Sequence, residues 1–157
     1  MQRNDSMSQN VHLTLTGRQK DETGETALTR HSCSAEYFEK NDSVYLLYEE
    51  TPDGADAVVK NTIKLKPSLL ELSRRGSIST RMVFEPGREY LTEYVTPYGR
   101  LQMGISTRSL DVDRTEGQLR IRIDYSLTSG GVPVSDCSME ITVQTETQKQ
   151  AKNLLHG

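Results

Sequence analysis

Apolar and polar residues alternate with a period of two along most of this chain. The clearest run is 118–128, where Leu119, Ile121, Ile123, Tyr125 and Leu127 interleave with Arg120, Arg122, Asp124 and Ser126. Such spacing puts one face of a strand in a core and the other in water. The same alternation runs through Val11, Leu13 and Leu15, through Ile78, Thr80, Met82 and Phe84, through Leu101, Met103, Ile105 and Thr107, and through Cys137, Met139, Ile141 and Val143. Less regular strands are expected over 28–38, 44–50, 58–65, 69–74, 89–96, 110–114 and 134–145, which makes about ten or eleven in all.

The breaks between these runs carry turn chemistry. Thr51-Pro52-Asp53-Gly54 and Thr96-Pro97-Tyr98-Gly99 each set Pro at a first corner and Gly where a left-handed residue closes the turn, so both read as tight hairpins. Glu85-Pro86-Gly87-Arg88 has the Pro-Gly centre of a type II turn, and Glu116-Gly117 and Gly130-Gly131 supply further reversals. Hairpin follows hairpin with no helical stretch between, which excludes alternating strand–helix units and leaves a sandwich or a barrel. The fold expected is all-β, an antiparallel up-and-down barrel occupying residues 10–146. Residues 1–9 are expected as a flexible N-terminal tail, and 147–157 as a C-terminal tail holding at most one helical turn.

Composition narrows the function. With 157 residues, 34% hydrophobic and 26% charged, and a mean hydropathy of -0.63, the chain supports one thin core. A net charge of -3 and the lack of a basic stripe argue against a nucleic-acid partner. No run approaches the ~20 apolar residues that cross a bilayer, so no membrane partner and a cytoplasmic location are expected. Cys33 and Cys137 stand far apart in sequence and are expected as free thiols, Cys137 as a small buried hydrophobe.

Recognisable catalytic devices are missing. His12, His31 and His156 are too scattered for a metal site, and no glycine-rich loop opens a helix to cradle phosphate. Nucleophile elbows are absent too, so no enzyme, no metal and no cofactor are expected. Arg74-Arg75-Gly76-Ser77 is a chance-level match to a basophilic kinase target, and Asn4-Asp5-Ser6 and Asn41-Asp42-Ser43 read as tail and turn rather than as glycosylation sites.

Two features point to a polar interior. Glu50 falls in phase with Val44, Leu46 and Tyr48, so it is either solvated at its strand end or turned into the barrel, where it needs a cation or donors. Arg74, Arg75 and Arg81 are the nearest candidate cations. Seven tyrosines stand against two phenylalanines and no tryptophan; Tyr48, Tyr90, Tyr94 and Tyr98 suit either strand packing or a ligand pocket, since each joins an apolar ring to a hydroxyl.

Tyr48-Glu49-Glu50, Arg74-Arg75-Gly76 with Met82-Val83-Phe84, and above all Tyr94-Val95-Thr96-Pro97-Tyr98-Gly99-Arg100-Leu101 with Thr107 resemble the YwiB-like family of small bacterial proteins, a domain of unknown function. The likeness spans residues 10–145. It implies a calycin-like, lipocalin-like β-barrel from a bacterium of the Firmicutes type, and no established activity. The lipocalins' Gly-x-Trp pattern is absent, as is the Arg-x-Tyr carboxylate clamp of fatty-acid carriers, so the fold alone transfers no lipid ligand.

The leading expectation is a non-enzymatic module that holds a small molecule at Tyr48, Glu50, Arg75, Tyr94 and Tyr98, with Glu50 and Arg75 paired. Inward polar positions at Glu50, Thr80, Thr92 and Tyr94 motivate it. The alternative is a packed, ligand-free barrel that binds another protein or forms a homodimer, suggested by the adjacent apolar pairs Leu46-Leu47 and Leu69-Leu70, each of which turns one side chain outward.

Overall fold

A computed structural model describes residues 8–51, 57–77 and 79–145. Of the tails expected at 1–9 and 147–157, residues 1–7 and 147–157 lie outside the described residues, as do residue 146, the Pro52-Asp53-Gly54 turn and Ile78, while Gln9 begins the first strand. Ten strands follow in chain order: β1 (Gln9–Asp21), β2 (Thr26–Lys40), β3 (Ser43–Glu50), β4 (Val59–Leu65), β5 (Leu70–Arg75), β6 (Thr80–Phe84), β7 (Glu89–Thr96), β8 (Gly99–Thr115), β9 (Gln118–Ser129) and β10 (Val132–Thr145). Among the described residues there is no helix.

Every neighbour in the sheet is antiparallel, in the order β6-β5-β4-β3-β2-β1-β10-β9-β8-β7. The chain therefore meanders up and down, with β1 pairing β10 from Val11 opposite Thr145 to Asp21 opposite Ser135. The two ends of the order, β6 and β7, meet at a seam where Ser79 and Val95 exchange backbone hydrogen bonds of 3.0 and 2.9 Å. Thr80 and Thr92, both buried, face each other across it at 3.2 Å, and Thr92 Oγ1 also donates to the Arg81 carbonyl at 2.5 Å. The result is a nearly closed barrel whose two edges these inward threonines join.

The turns follow their residues. At Glu85–Arg88 the Arg88 amide donates to the Glu85 carbonyl at 3.0 Å with Gly87 at φ 81°, a value open to glycine at little cost. Asn41 and Asp42 take φ of 52° and 65° in the two-residue turn between β2 and β3, the left-handed pair that suits short polar side chains. Pro97 and Tyr98 form the two-residue tip between Thr96 and Gly99. The β3–β4 ladder ends at Glu50 opposite Val59.

One expectation on strand count is corrected. The runs 101–107 and 110–114 form a single strand, β8, whose register to β9 slips between Thr107 and Ser109. Arg108 is the extra residue of this bulge, and it moves the inward phase from Ile105 and Thr107 to Leu110. That phase change is what makes the sequence read as two strands.

Inside, apolar rows fill the barrel. Across β3, β4, β5 and β6 the register aligns Val44, Leu65, Leu70 and Phe84 in one row and Leu46, Ile63, Leu72 and Met82 in the next. Phe84 is fully buried and meets the Tyr125 ring edge-on at 4.8 Å. Of the paired leucines, Leu46 and Leu70 are buried in this core, while Leu47 and Leu69 sit half-covered on the outer face.

Candidate functional site

The next row along the same four strands changes character. Tyr48, Asn61, Arg74 and Thr80 lie opposite one another in register, with Glu50 two residues beyond Tyr48 on the same face. Strand alternation dictates the row: Val59, Asn61, Ile63 and Leu65 all point inward on β4, and Leu70, Leu72 and Arg74 do so on β5. A polar residue in an inward phase has no route to bulk water except the end of the barrel, so its partners must come from the same row.

Those partners are partly present. Arg74 Nη2 donates to Glu50 Oε1 at 2.7 Å, and Asn61 Nδ2 donates to the same oxygen at 3.2 Å and to the Val59 carbonyl at 3.5 Å. The acid and the guanidinium are each about three-quarters buried, with side-chain exposures of 25% and 27%. Three polar atoms in the cluster are buried with no hydrogen-bond partner in the protein: His31 Nε2, Asn61 Oδ1 and Arg74 Nε. All three residues line one cavity of about 310 Å³, walled also by Leu15, Tyr48 and Leu72.

Among the described residues the barrel wall parts beside this cavity. β2 and β3 stay paired from Lys40 opposite Ser43 to Glu36 opposite Leu47. Beyond that point, among the described residues, β2 pairs only with β1 and β3 only with β4. His31 and Cys33 on β2 remain near the end of β3: the His31 and Tyr48 rings stand 6.0 Å apart, tilted by 34°. Tyr48 and Asn61 line both the inner cavity and a second one of about 580 Å³ bordered by Leu47, Lys60 and Arg75.

Titration follows this enclosure. Burial pushes the Tyr48 hydroxyl far up, the Glu50 charge adds to it, and Arg74 pulls part of the way back. Burial likewise raises the Cys33 thiol, with Glu50 contributing. Tyr94 is raised by burial and partly restored by Arg74; its hydroxyl lies 3.7 Å from Met82 Sδ. A separate cavity of about 200 Å³ at the other end of the barrel is lined by Gln9, Tyr37, Glu39 and Arg114. There Tyr37 Oη donates to Glu39 at 2.6 Å, so that acid–hydroxyl pair is satisfied without help. Among the described residues no group of three or more His, Cys, Asp or Glu could hold a metal ion.

Of the residues chosen from sequence, Tyr48 and Glu50 lie in the cluster and Tyr94 sits close enough to feel Arg74. Two are corrected. Arg75 is exposed on the outer face opposite Lys60, because it is one residue out of phase with Leu70 and Leu72, and Arg74 is the partner of Glu50. Tyr98 is 99% exposed at the tip of the β7–β8 turn, away from the cavity. His31 and Asn61 were not among the residues chosen from sequence, and Arg74, weighed there as a candidate cation for Glu50, was set aside for Arg75. Their signal was faint but present, since each is polar in an otherwise apolar inward phase.

Comparison with known proteins agrees with this architecture. The family model described as "Domain of unknown function (DUF1934)" matches residues 11–141. The chain belongs to the DUF1934 family. The match runs from β1 into β10 and takes in the whole cluster from His31 to Arg74. The chain is similar to the "Uncharacterized beta-barrel protein YwiB" of Bacillus subtilis, at 29% identity over 111 residues that cover 71% of this chain and 77% of that protein. The crystal structure of the Bacillus subtilis ywiB protein superimposes with a TM-score of 0.78 at 25% identity, covering 88% of this chain and 92% of that one. This DUF1934 chain thus shares the barrel of a solved relative whose own role is uncharacterised.

Proposed function

We propose that this DUF1934 barrel is a non-enzymatic binding module that takes one small polar molecule into the cavity beneath the β2–β3 opening. The reading is carried by three residues that line a single cavity, His31, Asn61 and Arg74, each of which keeps a buried polar atom (Nε2, Oδ1 and Nε) without a protein partner. A buried polar atom left unpaired costs about 1–3 kcal/mol, and native cores contain few of them. Three in one place are accounted for if a molecule with matching donors and acceptors completes them. About 310 Å³ is also near the lower end of small-ligand sites. A cytoplasmic setting fits the free thiols Cys33 and Cys137.

Native mass spectrometry of the chain purified from its source cells tests this. The wild type should carry an added small mass that an Arg74→Ala variant loses. Both proteins flying bare under gentle conditions would mean that the cavity holds only solvent. The second reading, self-association, has one observation behind it: the side of β2 that no described residue pairs over 26–35, where Leu28 is 70% exposed. Light scattering across a hundredfold concentration range decides it, because a constant monomer mass removes the homodimer.

A further inference from the structure

We infer that the group this cavity recognises is the edge of a neutral amide, an N–H beside a C=O on a small planar molecule. The inference rests on the binding reading above and adds the chemistry of the ligand.

Charge comes first. Glu50 and Arg74 neutralise each other at 2.7 Å, so the cavity floor presents no net charge to draw an ion inward. A carboxylate or phosphate would bring its negative charge against Glu50. An ammonium group would bring donors to Asn61 Oδ1 but face the Arg74 Nε–H donor with another cation.

Hydrogen-bond direction comes next. Asn61 Nδ2 is committed to two acceptors, Glu50 Oε1 and the Val59 carbonyl, which fixes the orientation of its amide and leaves Oδ1 as a lone acceptor. Arg74 commits Nη2 to Glu50 and leaves Nε–H as a lone donor. Asn61 is 2% exposed, so water competes weakly for it. Asn61 and Arg74 are directly opposed in the antiparallel ladder, where facing side chains start about 4.5–5.5 Å apart, so one ligand group can span both. The group that offers a donor to Oδ1 and an acceptor to Nε side by side is an amide edge. His31 Nε2, across the opening, donates or accepts according to its tautomer and suits a second polar atom on the same molecule.

Shape agrees. Tyr48, Leu15 and Leu72 are the apolar walls of the cavity, a setting for a flat ring rather than for a flexible polyol. The three orphan atoms are covered by neighbouring side chains, but Arg74 and Glu50 each keep about a quarter of their surface exposed. A ligand therefore reaches the orphan atoms through a local side-chain shift beside this partly exposed pair, with Arg74 Nη2 still on Glu50.

The test is a titration of isotope-labelled full chain followed by amide-resolved NMR, with four probes: uracil, 1,3-dimethyluracil, acetate and methylammonium. Fragments of this size bind in about the millimolar range, so each probe is taken to about 20 mM. Uracil should give saturable shifts at His31, Tyr48, Asn61 and Arg74. Its dimethyl analogue, which lacks the N–H donors, should bind at least tenfold more weakly. Arg74→Lys keeps a cation for Glu50 and removes the Nε donor, so it should weaken uracil about tenfold while the rest of the spectrum stays in place. Equal binding of uracil and dimethyluracil, or undiminished binding to Arg74→Lys, overturns the inference. Saturation of the same residues by acetate or methylammonium at lower concentration overturns it too while leaving the binding reading standing. If no probe shifts these residues, the amide inference falls, and mass spectrometry of the native protein decides the binding reading separately.

Discussion

Replacing Arg74 by alanine strips the Glu50 carboxylate of its cation while Asn61 still donates to the same oxygen. Losing one member of a fully buried ion pair costs about 3–5 kcal/mol, and losing one at the surface costs about 0–1 kcal/mol. With exposures of 27% and 25% this pair falls between the limits. A hydrogen bond to a charged group contributes about 1.5–3 kcal/mol, and the surviving Asn61 contact keeps the loss toward the middle of that range, at about 2 kcal/mol. With a urea dependence of about 2 kcal/mol per molar, the unfolding midpoint should fall by about 1 M. Arg75→Ala, exposed and on the outer face, should cost under about 0.5 kcal/mol. Glu50→Gln should cost about 1–2 kcal/mol, and the double change with Arg74→Ala should cost less than the sum by about 1 kcal/mol. Urea melts of the wild type and the four variants at neutral pH supply every number. If Arg75→Ala destabilises as much as Arg74→Ala, or if the Glu50–Arg74 coupling is under about 0.3 kcal/mol, the inward phase of β5 and the row built on it are wrong.

Gly104→Ala should lower stability by about 1–3 kcal/mol, because its Cβ would overlap Thr128 Oγ1 and stand 2.5 Å from Glu89 Oε2, where those two groups hydrogen-bond to each other; a thermal melt unchanged from wild type would refute the close approach. Phe84→Ala removes a fully buried ring packed on Tyr125 and should cost about 3–5 kcal/mol in the same urea assay, a loss under 1 kcal/mol arguing against a packed row there. In the folded protein Cys137 should label with a thiol reagent more slowly than the half-buried Cys33, since burial both covers it and raises its thiol; equal rates would contradict its inward position. Burial raises the Glu71 carboxyl, but Arg81 and Lys66 outweigh it and the net shift is downward. A carboxyl lowered by folding contributes stability above its unfolded range and loses it as pH falls through the folded value. The stability gap between wild type and Glu71→Gln should therefore shrink steadily on acidification below about pH 4.5, and a gap that widens there would reverse the sign of the argument.

Much of this barrel was legible without coordinates because a strand's period is short and local. The odd-numbered apolar positions from Leu119 to Leu127 and from Cys137 to Val143 are all inward and buried, since alternation depends only on the backbone pleat. The turn at Pro86-Gly87 was equally local, set by one residue with fixed φ and one that tolerates a positive φ. Where a tertiary event intrudes, the local signal misleads: the bulge at Arg108 exists only because β8 must keep pairing with β9, and it split one strand into two apparent ones.

The candidate site lies on the other side of that divide. Glu50 was visible as an acid in an apolar phase, but its partner depends on which face of β5 turns inward, and a slip of one residue exchanges Arg74 for Arg75. Leu70 and Leu72 set that phase, and the up-and-down order expected from the sequence puts β5 beside β4, but no short-range signal gave the register that sets Arg74 opposite Asn61. Tyr98 looked like a pocket residue because its neighbours form a recognisable stretch, and the two-residue turn instead carries it into solvent. The cavity itself lies where, among the described residues, β2 parts from β3 beyond Glu36 and Leu47. That parting is a relation between two strands in space, so composition and periodicity determined the barrel, while the sheet's register and its opening decided which polar residues meet inside it.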